Sequence, residues 1–183
     1  EPGGQMDQFA SAFGGLLFIE FEEGKAPQRL PAPLGMFVLG DSREPKNTTE
    51  ILSRVKGGAL DGLKRLGKNI HDLTLDDLEG AGDLLTAEQN RVLHAQLVNR
   101  YLTRVAHSQL RDEPFNHQQF GYLLFKHYEQ LRDGLRISTP KIDRMLNAAM
   151  EAGALGGKIN GSGGGGCMFA YAPEKYREVA EAI

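Results

Sequence analysis

A chain of 183 residues, 40% hydrophobic and 25% charged, has the composition of an ordinary globular core, enough for one domain or the larger part of a two-lobed protein. Its formal net charge of -3 supplies no general drive towards nucleic acid or a membrane surface, and no apolar run approaches the roughly 18 residues a spanning helix needs. Cys167 is the single cysteine, which excludes an internal disulfide and fits a reducing, cytoplasmic setting.

Met6, Phe9, Ala10 and Phe13 share one face of a short helix that Gly14-Gly15 ends. Leu16 to Phe21 predicts a strand, apolar except at Glu20 and therefore mostly buried. A turn at residues 22–25 and the prolines 27, 31 and 33 then make an extended connector, and Met36 to Leu39 predicts a second short, buried strand. From Thr48 to Leu66 the stripe Ile51, Leu52, Val55, Ala59, Leu63 and Leu66 predicts a helix stopped by Gly67. Thr74 caps a shorter helix, with Asp77 in the capping-box position.

A long helix from Thr86 to about Leu110 turns Val92, Leu93, Leu97, Tyr101, Leu102 and Val105 inward. Another, Phe115 to Leu131, buries Phe120, Leu123, Leu124 and Leu131. Ser138 is the expected cap of the next helix, with Pro140 in its first turn, Ile142, Met145, Leu146 and Ala149 inward, and Gly153 as its stop. Leu155 to Asn160 and Met168 to Tyr171 read as strands, and Pro173 to Ile183 as a last helix. Strands following a run of helices predict an α+β fold.

Between those last strands lies Lys158-Ile159-Asn160-Gly161-Ser162-Gly163-Gly164-Gly165-Gly166-Cys167, with five glycines in six positions. No Gly-Lys-Ser/Thr follows, so it is no Walker loop, and no helix opens at the last glycine as in a dinucleotide fingerprint. Two readings remain. The segment is a flexible hairpin tip, or its N–H groups approach an anion such as a phosphate, with Lys158 and Ser162 nearby.

At the other end, Gly3-Gly4-Gln5-Met6-Asp7-Gln8 puts a carboxylate at a helix start, where it either caps the helix or stays ionised to accept a proton. The five histidines show no metal-ligand spacing, and Cys167 reads as a small buried hydrophobe rather than a nucleophile.

Taken together these two motifs resemble the GHMP kinase superfamily, which includes galactokinases, homoserine kinases, mevalonate kinases and phosphomevalonate kinases. Lys158 to Cys167 is similar to its third motif, with Asn160 at the hydroxyl position and Ser162 at the small-residue position. Gly4-Gln5-Met6-Asp7-Gln8 resembles the galactokinase segment Gly-Ile-Met-Asp-Gln, and Leu131-Arg132-Asp133 with Ser138, Ile142 and Asp143 resembles the helical stretch before the third motif. Pro45-Lys46-Asn47-Thr48 looks more like mevalonate kinases.

The resemblance implies the end of an N-terminal domain over residues 1–34 and a GHMP kinase C-terminal domain, ferredoxin-like and helix-rich, over 35–183. It implies ATP-dependent phosphorylation of a small-molecule hydroxyl, most simply a sugar, with mevalonate or another non-sugar alcohol as the alternative. Asp7 would be the catalytic base, Gly4 a backbone contact beside the substrate, and Lys158, Asn160, Gly161, Ser162, Gly163, Gly164, Gly165 and Gly166 the active-site loop. ATP and Mg²⁺ are the implied cofactors, with a small molecule as partner and neither nucleic acid nor membrane. The family's main nucleotide loop, Pro-x-x-x-Gly-Leu-Gly-Ser-Ser-Ala, is expected upstream of Glu1, so the chain reads as a fragment without kinase activity of its own. A GHMP-fold ligand sensor that has lost catalysis is the reading from another class, and the presence of Asp7 counts against it.

Overall fold

The computed structural model describes residues 6–22, 24–30, 34–46 and 48–183. Helix α1 (Met6–Phe13) ends where Gly14 and Gly15 turn to φ +62° and +68°. Strands β1 (Leu16–Phe18) and β2 (Gln28–Leu30) then pair antiparallel, Leu16 opposite Leu30. β1 is shorter than its apolar run because β2 offers only three residues to pair with. Beyond the ladder, Phe21 is exposed. The hairpin packs Leu16, Phe18 and Leu30 into a small cluster with Leu110, Phe120 and Tyr171.

The second sheet has β3 (Phe37–Asp41), β4 (Gly156–Ile159) and β5 (Cys167–Tyr171) in the order β3-β5-β4, antiparallel throughout. Register places Leu39, Phe169 and Lys158 side by side on one face, and Gly40, Met168 and Ile159 on the other. The second face meets the helices: a Cβ on Gly40 would lie within 3.0 Å of Met145, Met168 and Ile183. β3 is therefore not the buried strand its sequence suggests. At the sheet margin it buries one face only, leaving Phe37 39% and Leu39 64% exposed.

Helix α2 (Thr48–Leu66) has the predicted limits. Thr74 and Asp77 close the expected capping box on α3 (Leu75–Glu79), and Thr86 with Gln89 closes another on α4 (Ala87–Gln109). α5 (His117–Glu129), capped by Asn116, continues through a π turn at residues 130–134. α6 (Pro140–Glu151) is capped by Thr139 rather than Ser138, because Asp143 takes the Ser138 hydroxyl while Thr139 Oγ1 accepts the Ile142 N–H at 3.3 Å. α7 (Tyr176–Ala182) starts three residues later than Pro173 suggests.

The main core gathers Leu63, Leu93, Tyr128, Ile142, Leu146, Ile159, Met168 and Val179 from α2, α4, α5, α6, α7 and the sheet. Tyr101, expected inward, is 66% exposed. The expected mixture of α-helix and antiparallel β-sheet is what forms. Among the described residues no helix is long and apolar enough to cross a membrane.

Candidate functional site

The glycine loop is pinned rather than free. Gly161, Gly163, Gly164, Gly165 and Gly166 all take positive φ, between +70° and +119°. A Cβ on Gly163 would sit 2.4 Å from the Ile137 carbonyl oxygen, and one on Gly165 would sit 2.9 Å from the carbonyl oxygens of Glu44 and Pro45. The loop's backbone is bonded into those same neighbours. Gly164 N–H donates to Ile137 O at 2.7 Å, Gly166 N–H to Glu44 O at 3.1 Å, and Ser42 N–H to Gly166 O at 2.9 Å. The glycines thus serve a close approach, as one sequence reading required, and part of what approaches is this chain itself. Two of the N–H groups are already taken by carbonyls.

Residues 41–46 and Thr48 lie across the loop and bring their chemistry with them. Lys46 Nζ donates to Asn160 O at 3.3 Å, and its stem passes so near Gly166 that a Cβ there would fall 1.9 Å from Lys46 Cε. Thr48 Oγ1 and Ser162 Oγ are 3.3 Å apart, and Ile51 Cδ1 fills the space that a Cβ on Gly164 would need. These contacts place the first turn of the 19-residue α2 against the loop, adding a helix N-terminus to the Lys46 ammonium.

Support comes from behind. Thr139 Oγ1 donates to the Glu44 carboxylate, and one Arg54 nitrogen donates to the carbonyls of Leu135 and Arg136 at 3.0 Å each. Arg43 and Arg136, on either side, hold positive φ of +54° and +53° without being glycine, a strained backbone that the surrounding bonds maintain. A cation, two hydroxyls and a helix start gathered on a rigid turn make a place for an anionic oxygen group.

Residues 106–183 match the family model for the C-terminal part of the GHMP kinases. This segment belongs to the GHMP kinase C-terminal domain family. The mevalonate kinase of Pyrococcus furiosus is 33% identical over 178 residues, covering 97% of this chain and 45% of that protein. Human galactokinase is 30% identical over 125 residues, covering 64% and 31%. Among solved structures, Lactococcus lactis galactokinase complexed with galactose superposes with a TM-score of 0.82 at 20% identity, covering 97% of this chain and 49% of that one. L. major mevalonate kinase in complex with R-mevalonate gives 0.60 at 18%, covering 96% and 46%. The chain spans about half the length of the mevalonate kinase and of the two solved structures.

Within this chain the expected site residues lie in different places. Asn160 and Ser162 join the loop cluster through Lys46 and Thr48. Lys158 is held on the sheet face, its ammonium 5.4 Å from the Phe169 ring centre and donating to Ile159 O at 3.2 Å. Burial pushes its pKa down to about 8, and burial together with the Lys158 charge pushes that of neighbouring His127 down to about 3. Lys46, not Lys158, is the cation laid across the loop.

Asp7 stands exposed in the first turn of α1, and among the described residues no side chain pairs with it. Gly4 lies outside the described residues. Cys167 is half-buried at the start of β5. The signal for Lys46 was present in Pro45-Lys46-Asn47-Thr48, but only the fold shows that a segment more than 110 residues upstream lies on the loop. Among the described residues no group of three or more His, Cys, Asp or Glu could hold a metal ion.

Proposed function

We propose that this chain forms the acceptor-side half of an ATP-dependent kinase that phosphorylates a small-molecule hydroxyl. The observation that carries this reading is the convergence of Lys46, the Thr48 and Ser162 hydroxyls and the start of α2 on the glycine loop. Phosphoryl transfer asks little covalent chemistry of a protein. It needs the reactants held in line and the charge on the phosphoryl oxygens stabilised by fixed donors and cations. A turn clamped by the Ile137 and Glu44 carbonyls supplies fixed donors without rearrangement at the moment of reaction.

ATP, when bound, supplies the phosphoryl group. Lys46, Ser162 and the loop fit its transferring phosphate, whereas the described residues offer no carboxylate cluster for Mg²⁺. Asp7, exposed and without a described partner, is free to accept the proton of an acceptor hydroxyl. A cytoplasmic location belongs to the same reading.

Two acceptor classes have support. Likeness to a mevalonate kinase over 97% of this chain, together with Pro45, Lys46 and Thr48 against the loop, favours an alcohol carrying its own carboxylate. The Gln5 to Phe9 run and the galactokinase-like fold favour a sugar. The deciding experiment measures phosphoryl transfer by the complete kinase polypeptide containing this chain, offered mevalonate, galactose, other aldoses and heptose phosphates. Transfer to none of them overturns the proposal, and binding without transfer identifies a ligand sensor instead.

A further inference from the structure

We infer that the cavity between the start of α5 and the turn from β5 to α7 is a second small-molecule site, suited to a flat apolar carboxylate. The cavity encloses about 590 Å³, within the range of small-molecule pockets. It is remote from the glycine loop. Leu155, on its wall, precedes β4, and Pro173, also on its wall, follows β5, whereas the loop joins the opposite ends of those strands. At the usual rise per residue the strands separate the two places by roughly 15 Å.

Its apolar wall is Pro114, Phe115, Leu155 and Pro173. Its polar lining is Asn116, His117, Gln118, Glu174 and Lys175, and among these His117 and Lys175 are seated by packing contacts. His117 stands with its ring edge-on to Phe115, centres 4.9 Å apart, and its Nδ1 pairs with the hydroxyl of fully buried Tyr171. That hydroxyl also accepts the Gly35 N–H at 3.4 Å; when it gives its own proton to Nδ1, the ring N–H of His117 sits on Nε2. Phe37 and Phe120 hold the other sides of Tyr171, with ring centres at 4.8 and 5.3 Å.

Lys175 is the cation. Its stem lies over Gly153, where φ is +102° and a Cβ would fall 2.6 Å from Lys175 Cδ and 3.4 Å from Nζ. The glycine therefore gives the lysine its seat on the cavity wall. Among the described residues Lys175 has no ion-pair partner. Glu174 on the same wall disfavours a doubly charged phosphate, which leaves a monoanion as the better fit. An ammonium and one N–H donor beside an aromatic and prolyl wall describe a receptor for an aryl carboxylate.

The test uses 2-naphthoate and its neutral analogue 2-naphthamide as probes, with the complete kinase polypeptide isotopically labelled for amide NMR. Naphthoate is expected to shift the amides of Phe115, Gly153 and Leu155. Lys175→Glu, an exposed position outside the loop cluster, is expected to weaken naphthoate by about tenfold or more, as loss of a charge-assisted bond does, and to leave naphthamide unchanged. Absence of naphthoate binding at millimolar concentration overturns the inference. So do shifts confined to residues 160–167, or a Lys175→Glu effect equal for both probes. Phosphoryl transfer is read in a separate assay, so either reading can fail without the other.

Discussion

Lys46 and Gly166, 120 positions apart in the chain, occupy one another's space: the lysine stem runs where any side chain at 166 would begin. The glycine run therefore does more than expose N–H groups. It lets a cationic segment lie flat on the turn, with the Lys46 ammonium anchored on Asn160 O at the loop's entrance. The absence of a Cβ at 166 and the charge at 46 are two parts of one device, and each can be removed separately.

Lys46→Met keeps most of the stem over Gly166 and removes the charge. On the proposed kinase function, a full-length polypeptide carrying this change is expected to lose about a hundredfold in kcat/KM, the scale for losing one preorganised charge-stabilising group. Its melting temperature should stay near that of the parent, since Lys46 is exposed. Steady-state kinetics alongside a thermal melt separates these effects, and unchanged kinetics would remove Lys46 from the site.

Gly163→Ala and Gly14→Ala form a matched pair. Both glycines have positive φ, +78° and +62°, so each alanine suffers the left-handed backbone penalty of about 1–2 kcal/mol. At Gly14 nothing lies within 4 Å, whereas at Gly163 the new methyl meets a backbone oxygen at 2.4 Å. Urea denaturation should show the larger loss at Gly163, and equal losses would mean that the loop gives way easily.

Local chemistry explains what could be read from the sequence. The limits of α2 and the capping box at Thr74 depend on local residues and form as expected, and the box at Thr86, which the sequence reading does not name, rests on Gln89 three positions on. What could not be read turns on contacts outside such short windows. Asp143 claims Ser138 and shifts the α6 cap to Thr139. The marginal place of β3 exposes Leu39, and the packing of α5 against β4 encloses Lys158 beside His127. No pattern in Lys158-Ile159-Asn160 distinguishes a lysine that serves the loop from one buried on the sheet. In the same way, composition alone marks the glycine loop as special but does not reveal that Lys46 covers it.

His127 gives the chain an acid-side instability. Its pKa falls from the ordinary 6.5 to about 3 in the folded state, through burial first and the Lys158 charge second. Between those values the unfolded chain binds the extra proton, so stability is fully present above pH 6.5 and declines as the pH falls towards 3. The slope is at most about 1.4 kcal/mol per pH unit. Titrating carboxylates add to any acid transition, so the relevant quantity is the difference between the parent and His127→Gln. Denaturant curves at pH 7, 5.5 and 4 should show that difference shifting in favour of the variant as pH falls, and a constant difference would refute it.

Asp7→Asn tests the proposed base most directly. The amide has nearly the same shape and can still bond a hydroxyl, but it cannot take up the proton. Asp7 is exposed in the first turn of α1, so the substitution should change stability by no more than about 0.5 kcal/mol. On the proposed kinase function, kcat of a full-length polypeptide is expected to fall by about 10² to 10⁴, the range for removing a general base, with KM for the acceptor little altered. The 183-residue chain alone is expected to give no turnover with or without the substitution, because the nucleotide loop implied by the resemblance is not among its residues. Turnover near the parental rate in Asp7→Asn would mean that the acceptor hydroxyl loses its proton elsewhere. The cluster around Lys46 would then act by positioning and charge alone.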